Sequence, residues 1–285
     1  MNLRGGLSRW WLALPIILAP AFALAQDANL CDEPGEAPDL IVGDLHQVQR
    51  FGTQDGITAF SVGTVSCNIG TCWANWISSS NQHPVIGQNM YRYKDGRFEQ
   101  IGQSWLKHGF FALSQDFCGA CVQSDGSHLG VNCSDPYSAG LNGDQTRLGP
   151  RSEVNPFTGE YPFPFTTSGQ TGDVLYKRLQ VHNEDLDPVL NPGAMYFVEG
   201  HYVSADDATA GNGNNNASHR QVTVSGSSGV FDISLTGSTS QSAAIYAWGD
   251  IDFSVKGDAV KVPDDGQFIV QSRVSDLGNG MWSYE

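Results

Sequence analysis

The chain has 285 residues, 40% of them hydrophobic and only 16% charged, with 33 glycines. That hydrophobic share supports a packed core and excludes disorder throughout, while sparse charge and many turn-forming residues argue against a helical protein. A net charge of −15 opposes nucleic-acid binding, because phosphates need Lys and Arg, and suits either plain solubility or divalent-cation binding.

Residues 1–25 read as a secretory leader. Arg4 and Arg9 give a basic start, residues 10–24 are apolar, and Ala23-Leu24-Ala25 is a small-x-small cleavage site before Gln26. The apolar run falls short of the roughly 20 residues that a bilayer helix needs. A retained anchor is therefore the weaker reading, and no membrane span is expected once the leader is removed. The expected location is secreted or at the cell surface, with the periplasm as the alternative. Residues 26–40 carry Pro34 and Pro38 and read as an exposed lead-in.

Short apolar runs follow at residues 57–65 and 73–77, the first announced by an Asp55-Gly56 turn. The clearest local signal lies in residues 81–113. There 90–94 and 97–101 read as strands around Asp95-Gly96, a dipeptide that favours a two-residue turn with positive φ. Tyr91 and Tyr93 share one face, and Trp105, Leu106, Phe110, Phe111 and Leu113 supply core. Residues 114–149 read as a long loop, which is expected to be functional or cross-linked.

The six cysteines are Cys31, Cys67, Cys72, Cys118, Cys121 and Cys133. An even count in an exported chain points to disulfides. Cys67 and Cys72 are close enough to pair with each other, and the long loop predicts a bond from Cys133 to Cys118 or Cys121. Cys118, Cys121, Cys133 and His128 form the competing zinc set.

Pro162 and Pro164, in the run 161–165, argue against a central strand and mark a boundary or an extended segment laid across a surface. A second unit is expected over 174–285, with strands at 174–181, 194–203, 220–225, 230–235, 243–248 and 267–274. Ser204, with Asp207 three residues on, starts a short helix that Gly211 ends. The fold expected is mainly β, with β-sandwich-like units, long loops and few short helices: a cysteine-containing β domain over 41–165 and a second unit over 174–285. The chain stops at Glu285 inside a strand pattern that follows Asn279-Gly280, so a C-terminally truncated second unit is expected.

The stretches NQHPVIGQNMYR, SWLKHGF, CSDPYSAGLNG and LGPRSEVN, with the Asn-rich loop before Arg220, resemble a group of uncharacterised secreted bacterial proteins. The resemblance implies export, and a strand at Tyr284 that runs on into further sequence. It carries no activity and therefore no catalytic residue.

No Gly-x-Ser-x-Gly elbow, phosphate loop or His-Glu-x-x-His is present. His83 and His108 flank the Asp95-Gly96 hairpin at similar distances from its turn, which would bring their rings together as copper or zinc ligands. Glu199 and His201 lie two apart on an expected strand and share a face, as a metal pair or an acid–base pair. A third metal ligand for the histidines would have to come from Glu199 or His201. Asp185 and Asp187 in one loop, and Asp206 and Asp207 in another, offer oxygen ligands for calcium. Exposed aromatics beside Glu153 or Glu199 would make a carbohydrate site.

Three functions compete. The first is a non-catalytic exported surface or matrix protein with an adhesive or binding role and a polysaccharide or surface partner. The second is a copper- or zinc-dependent extracellular enzyme, and the third a carbohydrate-binding or carbohydrate-cleaving module.

Overall fold

Two Asp-Gly pairs set the first two long hairpins. In the computed structural model, which describes Cys31 and residues 35–285, β1 (Leu40–Gln54) and β2 (Ile57–Asn68) meet at Asp55-Gly56. After a short β3 (Ala74–Asn75), β4 (Val85–Lys94) and β5 (Arg97–Gln103) meet at Asp95-Gly96. All four turn residues have positive φ, from 51° to 83°. Such turns match the twist of the flanking strands, and Asp-Gly adopts them with little steric cost. The expected leader lies outside the described residues.

Short elements follow: β6 (Leu106–His108), β7 (His128–Leu129), β8 (Ser134–Tyr137), α1 (Ala139–Asn142) and β9 (Leu148–Gly149). Then come β10 (Leu179–His182), α2 (Asn183–Leu186), β11 (Met195–Val203), α3 (Ala205–Ala210), β12 (Ala217–Ser227) and β13 (Val230–Leu235). The chain continues with α4 (Tyr246–Ile251) and two hairpins, β14 (Lys256–Val262) with β15 (Gly266–Ser272), and β16 (Val274–Gly278) with β17 (Met281–Tyr284).

The protein is mainly β, with few short helices. One sheet holds eleven strands, in the order β1-β2-β10-β5-β4-β11-β12-β13 with β6, β8 and β9 attached. Strands from both sides of the expected boundary share it. β10 lies between β2 and β5, and β11 pairs with β4 along nine residues from Met195 to Val203. The pairing therefore does not divide the chain near residues 165–174. The proline run instead lies across the surface, where Tyr161 and Phe165 pack with Val85, Leu106, Val154 and Val203. Two further expectations change. Residues 243–248 form a turn and the first residues of α4 rather than a strand, and of 174–181 only the last residues pair.

The sheet curls into a nearly closed barrel. The closing seam between β1 and β12 has no ladder. Ser218 Oγ donates to the Val42 carbonyl at 2.6 Å, Arg220 Nη1 to the Leu45 carbonyl at 2.7 Å, and Leu45 N to Thr239 Oγ1 at 3.1 Å. Inside lie Leu40, Val42, Leu45, Phe60, Trp76, Met90, Val198 and Tyr202. Alternation along β11 sends Tyr196, Val198 and Tyr202 inward. Gly200 shares that inward face, and a Cβ there would come within 2.9 Å of Leu45 Cδ2, so glycine lets β1 close over β11.

Three disulfides brace the long loops: Cys31–Cys72, Cys67–Cys118 and Cys121–Cys133. The expected bond from Cys133 into the Cys118/Cys121 pair is present, whereas Cys67 and Cys72 each take a distant partner. With all six cysteines bonded, no thiolate remains for the zinc set. The disulfides fit an extracellular or periplasmic compartment. Among the described residues no helix is long and apolar enough to cross a membrane.

Candidate functional site

The alternation that buries Tyr196, Val198 and Tyr202 turns Glu199 and His201 to the outer face of the barrel. Antiparallel register then fixes their neighbours. Glu199 stands opposite Asn89, and His201 opposite Gly87, on β4. The Asp95-Gly96 hairpin pairs Tyr91 with Gln100. Three strands, β11, β4 and β5, thus meet at one patch.

Glu199 is the centre of that patch and is only 5% exposed. Its Oε1 accepts from Asn89 Nδ2 at 2.7 Å and Tyr91 OH at 3.2 Å, and its Oε2 from Ala244 N at 2.7 Å. Asn89 Oδ1 in turn accepts from Arg151 Nη2 at 2.9 Å and Gln100 Nε2 at 3.2 Å. A buried carboxylate is costly unless donors or a cation compensate it, and here three donors do so directly. Arg151 is itself anchored on the carbonyls of Ser104 and Gln88. Gly87 leaves room for it, since a Cβ there would lie 3.1 Å from Arg151 Nη2. Burial first, then the Glu199 charge, pushes the Tyr91 phenol upward, so it stays a donor.

His201 differs from its neighbours. Among the described residues neither of its ring nitrogens has a hydrogen-bond partner. Burial lowers its pKa, with Glu199 opposing and Arg151 reinforcing the shift. The ring is therefore neutral at pH 7 and offers one donor and one acceptor.

Above the patch lies a cleft of about 1060 Å³, closed on its far side by residues 241–246 and the tip of the β14–β15 hairpin. Tyr91, Phe98, Phe157, Tyr246 and Phe268 line it, with the amides of Gln100, Asn214, Asn216, Gln241 and Gln267 between them. Phe157 and Phe268 are 41% and 49% exposed. Trp248 Nε1 donates to the Gly96 carbonyl at 3.0 Å and holds α4 against the β4–β5 turn, which keeps this wall in place.

The other expected site residues fall elsewhere. His83 and His108 do come together, with ring centroids 4.7 Å apart. Yet every nitrogen faces a backbone carbonyl: His83 those of Pro84 and Phe110, His108 those of Gly109 and Ser80, at 2.7–2.8 Å. No lone pair of either ring is directed at a shared point, so the rings pack against each other at a 32° tilt instead of chelating. Burial and the neighbouring imidazole lower His83 to about 3.

The calcium candidates are likewise occupied. Asp185 bonds Arg92 at 2.9 Å, and Asp187 accepts from Val189 N. Asp206 accepts from Asn75 N and Ser204 Oγ, and Asp207 from Leu40 N and Asn216 Nδ2. These are turn and helix-end braces, as short polar side chains commonly provide. Among the described residues no group of three or more His, Cys, Asp or Glu side chains is placed to hold a metal ion. Glu153 accepts from Thr166 through both its oxygens, braces the chain after Phe165 and does not line the cleft.

Glu199 and His201 were legible as a same-face pair. Asn89, Tyr91 and Gln100 could have been placed beside one another by counting back from the Asp95-Gly96 turn. Arg151, Asn216 and Phe268 had no local signal. Comparison with protein-family models, with curated proteins and with solved structures finds no match to this chain.

Proposed function

We propose that the chain is an exported binding protein, presented at a surface or in a matrix, whose outer-face cleft takes a saccharide. The observation that carries this reading is the composition of the cleft: partly exposed aromatic rings and carboxamides line it together with the Glu199 carboxylate and the Tyr91 phenol, which bond each other. Rings present apolar faces to sugar C–H groups, and amides match hydroxyls that both donate and accept. A concave site with convergent polar groups is the usual form of a small-ligand site.

Binding is favoured over bond cleavage because both Glu199 oxygens already accept from protein donors. Such a carboxylate orients its neighbours and is poorly placed to attack or to take a proton.

Depletion of the mature protein on cellulose, chitin, xylan and starch tests the reading. Retention on at least one polymer is expected, with retention lost in a Phe157→Ala/Phe268→Ala variant that keeps the wild-type melting temperature. No depletion on any polymer, or equal depletion of the variant, would overturn it.

A further inference from the structure

The last two hairpins form one strip of sheet. Arg273, between β15 and β16, exchanges both backbone hydrogen bonds with Glu285 at 3.0 Å. Residues 266–278 therefore run as a single extended segment, paired first with β14 and then with β17. Alternation along it separates two faces. Ile269, Gln271 and Arg273 are half-buried and turn toward the barrel, where the Arg273 guanidinium bonds Asp252 at 3.3 Å and lies against Gly96. Phe268, Val270 and Val274 turn the other way, and the register places Val260, Trp282 and Tyr284 beside them. These six side chains are between 46% and 74% exposed.

An apolar face of this kind calls for cover. Two-stranded ribbons are marginal in water and gain stability when a hydrophobic face is packed. At about 200 Å² per aromatic side chain, the three rings expose on the order of 350 Å², and the valines raise the total to roughly 500 Å². A standard interface takes about 800 Å² from each partner, of which a little over half, about 450 Å², is apolar. The face thus holds the apolar area that a stable dimer needs.

Its chemistry selects among occupants. Gln267 and Gln271 point to the other face, so these rings lack the amides that match sugar hydroxyls. A net charge of −15 opposes adsorption to an anionic bilayer. The charged side chains that the strands place on the face, Lys256, Asp258 and Asp276, carry both signs, so a second copy meets no uniform repulsion.

We infer that this face is a self-association surface, on which a second copy of the chain packs its own β14–β17 strip as a facing sheet about a two-fold axis. A two-fold pair uses the same patch on both sides, so this face alone suffices and assembly stops at two. The inference is independent of the saccharide reading, because Val270, Val274, Trp282 and Tyr284 do not line the cleft.

Sedimentation equilibrium of the mature protein tests it. A species of twice the monomer mass is expected, with a dissociation constant of about 1 μM or tighter, the weak end for an interface of standard size. Trp282→Asp and Val270→Asp, on different strands, should each weaken the dimer about thirtyfold or more at unchanged melting temperature. Val189→Asp, in an exposed loop elsewhere, should leave it unaltered. Where one face variant loses the fold, the other decides. A protein that stays monomeric at a hundred times the expected constant overturns the inference, and so does a dimer that the folded face variants leave intact. Growth beyond two copies with rising concentration overturns the two-fold arrangement. A monomer that instead floats with phosphatidylcholine vesicles assigns the face to a bilayer and overturns self-association.

Discussion

Two pairs of side chains, His83–His108 and Glu199–His201, both lie along the same strand, β4, and end in opposite conditions. The first pair is sealed: both residues are at most 5% exposed, their rings pack at 4.7 Å, and four nitrogens meet four backbone carbonyls. The second faces a cleft, with the carboxylate fully engaged and the imidazole without partners among the described residues. Proximity of histidines is thus a poor guide to chemistry. The direction and occupancy of the nitrogens decide whether a ring is structure or site.

The largest expected effect that sharpens this contrast is on stability at the sealed pair. His83→Ala removes a ring packed between Trp76 and His108 and leaves the Phe110 carbonyl with only the longer bond from Tyr137 OH. A loss of about 2–5 kcal/mol is expected in urea unfolding, as for other large-to-small core changes. A loss below about 1 kcal/mol would show that the ring is not structural.

Next is Glu199→Gln, which keeps the shape but turns one acceptor toward a donor. About 1–3 kcal/mol should be lost, the usual cost of leaving a buried polar group unmatched. Unchanged stability would mean that Asn89, Tyr91 and Ala244 find other partners.

Acid should separate the two pairs further. His83 titrates at about 3 in the folded chain against an ordinary 6.5. Between those values the unfolded chain binds more protons. Folding therefore loses stability as pH falls from 6.5 toward 3, by at most about 1.4 kcal/mol per pH unit. Asp135, pushed up to about 6 by burial, acts with the opposite sign between 3.8 and 6. Comparing wild type with His83→Gln across this range cancels the Asp135 contribution. The wild type should lose ground to the variant as acid is added, and a constant difference would refute a charge-averse pair.

The smallest effect is expected at His201→Ala, about 0.5 kcal/mol or less, because no hydrogen bond to a described residue is broken. Destabilisation above about 2 kcal/mol would place His201 with the structural histidines.

Legibility in the sequence followed local chemistry. Both Asp-Gly turns were readable, and at Asp95-Gly96 the whole hairpin, because two adjacent positive-φ residues leave few other dipeptides to choose from. The strand β1 was not, although it is fifteen residues long. Its register slips three times against β2, between Val42 and Asp44, Leu45 and Gln47, and Arg50 and Gly52. Each slip shifts the alternation by one residue and erases the period of two.

Residues 243–248 look like a strand from their β-branched and aromatic content. Yet burial falls on Ala244, Ala247 and Trp248, at helical spacing. The metal reading of His83 and His108 foresaw their proximity and missed the carbonyls, which belong to backbone at Ser80, Pro84, Gly109 and Phe110. The cleft was illegible for a simpler reason: Phe157, Glu199, Asn216 and Phe268 are neighbours only through a barrel whose strand order is far from chain order.

The seam between β1 and β12 has a consequence of its own. A backbone ladder is indifferent to side chains, so substitution seldom unmakes it. This seam depends on the hydroxyls of Ser218 and Thr239, the guanidinium of Arg220 and the Asp44 carboxylate that both Thr239 and Arg220 bond. The closure of the barrel is therefore written in four codons. Replacing them would leave every strand paired as before and give the cylinder a hinged wall, a graded way to trade rigidity for breathing without touching the core or the cleft.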